Sequence, residues 1–519
     1  MVMKKIHYIL LTVIILFFSG FLYFYKLELI PSGFYVDEAS VAYNAYSIFI
    51  TGKDEYGFPN PIFFRLMGSY TPSLFIYLSS FLIKYFGTGV LVFRSISASA
   101  AFLSVFFFYF LVRKMKLYKL ELSYFVITFF YSISPWMVFN ARLGYETTLA
   151  FLIFNIGAYF LYISQKKSRN LIIAIIFLSL STYISHNQRI LAPLFLLCYF
   201  IVFRRKLLTK ENIKNILPAF IVGLILHIPH FYHIGTRAFW IKGAQLDISN
   251  FWNFITYLSP KTLFYENPDI DLQHTIPKLS MMFNWMVIPY IVGSYLLIKR
   301  IKDDRYKFIA IYVVASLLPS VVSSYFVSSQ KSFPFIIPLS IVLGLGIDTV
   351  LDSLKPHLRI LLLGVAGYSL FVLFSSYFIL FPKERASGWN YGYDLIAEYI
   401  KERPDEFFLL DDARNPRAYI LLLYHLKYNP EEYHKEVDPF YKNNYYSAPI
   451  PATYYHFSNV DVRQIDWKED PKKDLTIIGD PLSISEQQAI EHNLTKVSEF
   501  KNPSMNTIFE VHETNPETY

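Results

Sequence analysis

Long apolar runs alternate with short basic segments along most of this chain, and the pattern stops near residue 382. The runs fall at residues 6–25, 90–112, 120–140, 147–165, 170–185, 190–203, 216–234, 283–298, 308–328, 333–351 and 360–381. A helix needs roughly 20 apolar residues to cross a bilayer, so the pattern predicts about eleven transmembrane helices. Two of the runs, 170–185 and 190–203, are short for a crossing. The first run follows Lys4 and Lys5, and no small-x-small cleavage site comes after it. It therefore reads as an anchor rather than a cleaved signal peptide.

The basic segments give the spans a direction. Clusters stand at Arg113/Lys114/Lys116/Lys119, Lys166/Lys167/Arg169, Arg204/Arg205/Lys206, Lys299/Arg300/Lys302 and Lys355/Arg359. Short loops rich in Lys and Arg stay in the cytoplasm. Placing all five clusters there puts the N-terminus in the cytoplasm and the C-terminal region outside. One apolar segment, residues 73–86, must then stay out of the bilayer, since a crossing there would carry Arg113 and its neighbours to the wrong side. Residues 26–88 become one long external loop with interfacial helices. Within it Val41, Ala45, Ile48 and Phe49 recur at helical spacing, which predicts an interfacial amphipathic helix.

Residues 383–519 are polar, and their short apolar runs at 407–410 and 475–478 alternate with helix-like stretches at 414–426 and 483–493. That alternation predicts a small α/β domain. The expected fold is a polytopic α-helical membrane protein of about eleven transmembrane helices, residues 1–382, with a small C-terminal α/β extracytoplasmic domain, residues 383–519. Composition agrees. Of 519 residues, 54% are hydrophobic and only 17% charged, below the quarter usual in soluble proteins. The net charge of +8 comes from the loop clusters, so it is a topology signal and not a nucleic-acid footprint. A single cysteine, Cys198, rules out an intrachain disulfide.

Several polar residues are not explained by the membrane. Asp37 and Glu38 lie in Gly-Phe-Tyr-Val-Asp-Glu-Ala-Ser at residues 33–40, about a dozen residues after the first span. Alone, such a pair reads as a solvated acidic helix start. Arg142, Tyr145 and Glu146 occupy the short turn between the third and fourth spans. His186-Asn-Gln-Arg189 fills a tight external turn, where an arginine runs against the loop-charge bias and the neighbouring polar groups are costly unless they face a polar cavity. Lys331, beside Gln330, is a further external cation; Arg237 and Lys242 open another external loop and are less specific. Snorkelling at the interface is the bland alternative for each cation. All these groups fall on one side. Cations at the outer leaflet can hold a lipid phosphate, and a carboxylate can deprotonate an acceptor hydroxyl.

The first 200 residues resemble the GT-C glycosyltransferases. The likeness rests on an apolar first helix, the Asp37-Glu38 pair in a long first external loop, an interfacial segment opened by Thr71-Pro72-Ser73-Leu74, and Phe93-Arg94-Ser95 opening the second span. Within that group the chain is similar to the dolichyl-phosphate-mannose–protein mannosyltransferase family and its bacterial relatives, including the aminoarabinose transferase acting on lipid A. The resemblance implies transfer of one sugar from a polyprenyl-phosphate donor to a protein, lipid or glycan acceptor on the outer face. It makes Asp37 the catalytic base, Glu38 its support and Glu146 the second acidic position. Arg189 falls near the cation that holds the lipid phosphate, with Lys331 as a second ligand; Arg142, Tyr145 and His186 complete the candidate substrate-binding set. Base attack opposite the phosphate implies inversion. Some relatives bind a divalent cation through paired carboxylates, so magnesium or manganese is left open, with Asp37 and Glu146 as its candidate ligands. No His-rich set argues for zinc.

Two departures stand out. Many relatives carry His and Arg before the tenth span, where this chain has Ser329-Gln330-Lys331-Ser332. The Trp-Trp-Asp acceptor motif of the oligosaccharyltransferases is only faintly echoed at Trp389-Asn390-Tyr391-Gly392, so transfer of a whole oligosaccharide to Asn is not expected. The competing class is a polytopic transporter or lipid flippase. Transporters place ionisable groups near the midplane and show paired halves. Here the groups lie at outer helix ends, and the halves show no symmetry. A non-catalytic scaffold has no need of clustered acids.

Overall fold

The computed structural model describes residues 2–240, 251–267, 269, 271–323, 327–447 and 451–518. The chain forms two compact units, one of Met1–Leu27, Arg94–Gly235 and Lys242–Phe378, the other of Glu28–Phe93, Thr236–Ile241 and Ile379–Tyr519. Residues 28–93 thus belong with the C-terminal region.

The first unit is helical. Its helices include Val2–Phe24, Glu121–Ser132, Pro135–Ala141, Thr147–Ser164, Asn170–Thr182, His186–Leu207, Lys210–Leu226, Val287–Lys299, Asp304–Ser323, Ile336–Ser353 and Leu361–Phe374, and most of Val90–Met115. A helix falls on each expected span, although residues 324–326 of one and all of Lys242 lie outside the described residues. Five of the described helices are long and apolar enough to cross a membrane, or six when a bent pair counts as one span. That pair, Glu121–Ser132 and Pro135–Ala141, bends by 53°. The bend has a local cause. Pro135 has no N–H to extend the preceding helix, and Ser134 restarts the chain by accepting from Met137 N at 3.3 Å.

Packing in this unit relies on small residues. Val287–Lys299 lies against Ile336–Ser353, and a Cβ at Gly293 or Gly346 would strike the carbonyl of Val342 or Pro289. Backbones approach this closely only where the side chain is absent. Asp348, buried on the second of these helices, accepts from Lys119 N, Leu120 N and Ser123 Oγ at 2.9, 3.0 and 2.7 Å. It thereby anchors the start of the Glu121–Ser132 helix.

The second unit holds the sheets. A two-stranded hairpin pairs β1 (Phe63–Leu66) with β2 (Ser69–Pro72). The six-stranded sheet comprises β3 (Phe408–Leu410), β4 (Tyr455–Phe457), β5 (Val460–Val462), β6 (Thr476–Gly479), β7 (Thr495–Lys501) and β8 (Thr507–Glu513), in the order β4-β5-β3-β6-β8-β7. β3 runs parallel to both neighbours, with Leu409 opposite Asp461 and Ile477, and the outer pairings are antiparallel. Strands buried on both faces read as continuous apolar runs, and β3 and β6 do.

The Val36–Thr51 helix packs on Leu74–Phe86 and on the Ala418–Leu426 helix, which is buried from Ala418 to Tyr424. This corrects one expectation. Val36–Thr51 does not present a single apolar stripe: Val41 and Ala45 are buried, but so are Ser40, Asn44 and Ser47, while Phe49 is exposed. Its polar side is paired inside the unit, with Asn44 Oδ1 accepting from Glu55 N at 3.0 Å and Ser47 Oγ donating to the Asp54 carbonyl at 3.1 Å. Hydrogen bonding lets a polar face be buried where periodicity alone points it to water.

Candidate functional site

Asp37 and Glu38 sit side by side in the first turn of Val36–Thr51, yet their surroundings differ completely. Glu38 is fully buried, and its Oε2 accepts from Tyr35 N at 3.0 Å, closing the helix start on itself. Asp37 is exposed. A neighbouring loop fixes where this turn stands. Asn390, in a left-handed conformation at φ 54°, accepts from Val36 N at 3.0 Å through its Oδ1. Tyr35 lies 5.4 Å from the Trp389 ring, centroid to centroid. Gly33, at φ +84°, passes so close to Trp389 and Tyr391 that a Cβ there would strike their backbone. The Trp389-Asn390-Tyr391 segment, noticed in the sequence only as a weak echo, therefore holds the turn that carries Asp37.

A second acidic pair lies in the same unit. Asp54 and Glu55 are both fully buried. Asp54 accepts from Tyr56 N and Phe58 N at 3.0 and 2.8 Å and from the Tyr445 hydroxyl at 2.5 Å. That hydroxyl in turn accepts from Arg65 N at 2.9 Å, and the Arg65 guanidinium lies over the rings of Tyr441 and Tyr56 at 4.7 and 5.3 Å. Burial pushes the Asp54 carboxyl up to about 7, against the opposing pull of Tyr445, two backbone amides and Arg65. Burial and the charge of Asp54 raise the Glu55 carboxyl as well.

The remaining sequence candidates are in the first unit. Arg142 is fully buried. Its Nη1 donates to the carbonyls of Leu22 and Tyr23 at 2.8 and 3.2 Å, and its Nη2 to those of Tyr25 and Lys26 at 2.8 and 3.1 Å. Carbonyls at a helix C-terminus have no partner within the helix, so this arginine caps Val2–Phe24.

Tyr145 meets the residue before Lys331. The Tyr145 hydroxyl accepts from Gln330 Nε2, while its carbonyl accepts from Ser97 Oγ at 3.1 Å. Glu146 is half-buried and begins Thr147–Ser164. Lys331, also half-buried, follows Gln330 directly. His186 and Arg189 share the first turn of His186–Leu207, with Arg189 Nη2 on His186 Nδ1. Arg189 also exerts its charge on His230, as do His227 and His233. These three histidines recur every third residue, a spacing that puts them near one face of a helix and that could have drawn attention to them.

Ser329, two residues before Lys331, supports a group of side chains with the donor types of a metal site, which the sequence analysis did not single out. One ligand atom each of Asp269, Asp271 and His274 lies within 4.8 Å of the others. Asp269 Oδ2 accepts from Ser329 N and Oγ at 2.8 and 2.7 Å, and the Ser329 carbonyl accepts from Trp136 Nε1 at 2.8 Å. Two carboxylates and an imidazole suit a divalent cation of intermediate hardness. The signal in the sequence was the Asp-x-Asp-x-x-His spacing of residues 269–274.

No family model and no curated protein matches this sequence. Solved structures do. The ArnT protein of Cupriavidus metallidurans, in its structure bound to undecaprenyl phosphate, is similar over 96% of this chain and 97% of its own, at 12% identity and a TM-score of 0.57. Its apo structure gives the same TM-score over 99% of both chains. The archaeal oligosaccharyltransferase AglB of Archaeoglobus fulgidus, in complex with an inhibitory peptide and a dolichol-phosphate, is similar over 98% of this chain and 74% of its own, at 13% identity and a TM-score of 0.53. Both proteins are GT-C glycosyltransferases. The likeness spans the whole chain, and it is a likeness of architecture: this multi-pass membrane protein has the GT-C fold.

Proposed function

We propose that the protein is a membrane glycosyltransferase that moves one monosaccharide from a polyprenyl-phosphate donor to an acceptor on the outer face of the membrane. The observation that carries this reading is the whole-chain likeness to ArnT, whose structure holds undecaprenyl phosphate. Asp37 is the proposed base. It is exposed, while Glu38 beside it is buried as a helix cap. The acceptor O–H gives its proton to Asp37 as its oxygen bonds to the anomeric carbon, and the bond from that carbon to the phosphate oxygen breaks. Attack opposite the leaving group inverts the anomeric centre. The leaving polyprenyl phosphate needs no acid when cations neutralise it. Arg189, beside His186, and Lys331 are the proposed cations. Of the sequence candidates, Arg142 is reassigned to holding the first helix.

A divalent cation fits the donor set of Asp269, Asp271 and His274, in which Asp269 is held by Ser329, two residues before Lys331. Bound there, it would add positive charge for the phosphate.

The test uses purified protein and a radiolabelled polyprenyl-phosphate sugar. Sugar release or transfer is expected, and Asp37→Asn is expected to slow it by about 10²-fold or more while leaving donor binding. A transporter or flippase would move the intact lipid and release no sugar. The reading fails if turnover is absent although donor binds, or if Asp37→Asn turns over normally.

A further inference from the structure

A groove lies on the first unit, at the end marked by its basic loops. It encloses about 610 Å³ between the His186–Leu207 and Asp304–Ser323 helices. Sites for small ligands fall in the same range of size. Its walls are apolar and include Ile201, Val202, Ile311 and Val314, and Lys302 and Lys307 also line it. Ile201, Val202 and Val314 are exposed, so the groove opens to the side rather than into the helix packing.

The polar end of the groove is built by ion pairs. Asp304 pairs with Lys206 from one wall and with Lys307 at 3.3 Å on the other, which ties the two helices together at the rim. Asp303 pairs with Arg305 at 2.6 Å. Residues 204–206 and 299–307 together carry eight Lys and Arg against these two Asp. Lys302 enters no ion pair among the described residues. The rim is therefore strongly positive after both acids are matched.

We propose that this groove is a binding site for an anionic glycerophospholipid from the leaflet beside the basic loops. One acyl chain lies along the apolar walls, and the phosphate sits at Lys302 and Lys307. Charge decides the occupant. A zwitterionic lipid offers the rim no net negative charge, whereas basic pockets between transmembrane helices suit anionic headgroups. From Lys307 to Val314 the wall runs seven residues, about 10 Å at the helical rise, which covers the part of a chain nearest its headgroup. The site is independent of the sugar-transfer reading and takes a different lipid.

The experiment exposes the purified full-length protein to phosphatidylglycerol or phosphatidylcholine in detergent micelles and counts retained lipids by native mass spectrometry. Phosphatidylglycerol is expected to be retained preferentially. Lys302→Ala should weaken its retention roughly fivefold, the effect of one basic residue at an anionic headgroup. Ala310→Phe, which fills the groove, should remove it. Lys302 is exposed, so its variant is expected to fold even if the filled variant does not. Equal retention of the two lipids would overturn the proposal. So would unchanged retention in Lys302→Ala, or displacement of phosphatidylglycerol by a polyprenyl phosphate at equal concentration.

Discussion

Asp37-Glu38 and Asp54-Glu55 are the same dipeptide, seventeen residues apart in one unit, and the fold treats them oppositely. In the first pair one carboxylate caps a helix and the other is exposed. In the second both are buried among tyrosines and an arginine. The dipeptide by itself carries little chemical meaning. A base must meet its substrate, and only Asp37 is open to one. A buried carboxyl held by Tyr445 and two backbone amides instead fixes a loop, and it imposes a pH cost that the exposed one does not.

The sharpest way to break this comparison is to remove the charge of each aspartate without changing its shape. Asp37→Asn should reduce transfer by about 10²–10⁴-fold, the range for loss of a general base. Its melting temperature should match the wild type, because the side chain is exposed. A large drop in stability would give Asp37 a structural role and erase the contrast.

Asp54→Asn should do the reverse, and pH is the variable that reveals it. The folded protein holds the Asp54 proton up to about pH 7, whereas an unfolded Asp loses it near 4. Below about pH 4 both states are protonated, and the contribution to stability is complete. As pH rises from about 4 to about 7 only the unfolded state ionises, so stability falls; beyond about 7 the loss is complete. The full span is on the order of 4 kcal/mol. Asparagine cannot ionise, and its Oδ1 still accepts from Tyr56 N and Phe58 N. Thermal unfolding between pH 4 and 8 should therefore show a flatter profile for Asp54→Asn, with the variant the more stable at pH 8. A wild-type profile that rises over this window would show that Arg65 and Tyr445 outweigh burial.

Gly33→Ala probes what holds the exposed pair in place. Gly33 has positive φ, and an added Cβ would meet the backbone of Trp389 and Tyr391. The substitution should cost about 1–3 kcal/mol and lower turnover by displacing the turn that carries Asp37. A control at Gly87, also at positive φ but with open space around it, should cost only the backbone part. Equal losses at the two glycines would show that contact with the Trp389 loop is unimportant.

The contrast also marks what was legible in the sequence. Apolar runs are a local signal, so among the described residues a helix falls on every expected span, and residues 74–86 form a helix of their own. Asp37, Glu146, Arg189 and Lys331 stood out because a charge beside an apolar run is itself local information. Asp54 and Glu55 were missed because a loop of Lys-Asp-Glu-Tyr-Gly looks solvated, and nothing nearby shows that Tyr445, almost four hundred residues on, will cover it. Arg142 shows the same limit: its sequence neighbours give no sign of the first helix's carbonyls, to which its guanidinium donates. The donors at residues 269–274 were visible as a spacing, yet only the fold brings Ser329 to orient Asp269.

The smallest expected effect falls on Glu38 and separates its two proposed duties. As a cap, Glu38 needs only an acceptor oxygen for Tyr35 N. Glu38→Gln keeps one and should change stability by a few tenths of a kcal/mol, whereas Glu38→Ala removes it and should cost about 1 kcal/mol. Unfolding curves in detergent resolve the difference between the two variants. If Glu38 also supports the reaction by its charge, Glu38→Gln will slow transfer more than this small stability change allows, and the fall will appear in kcat with KM unchanged. If it only closes the helix, Glu38→Gln will turn over like the wild type. The exposed carboxylate would then carry the chemistry of the first pair alone, and its neighbour would serve the fold, as both members of the second pair do.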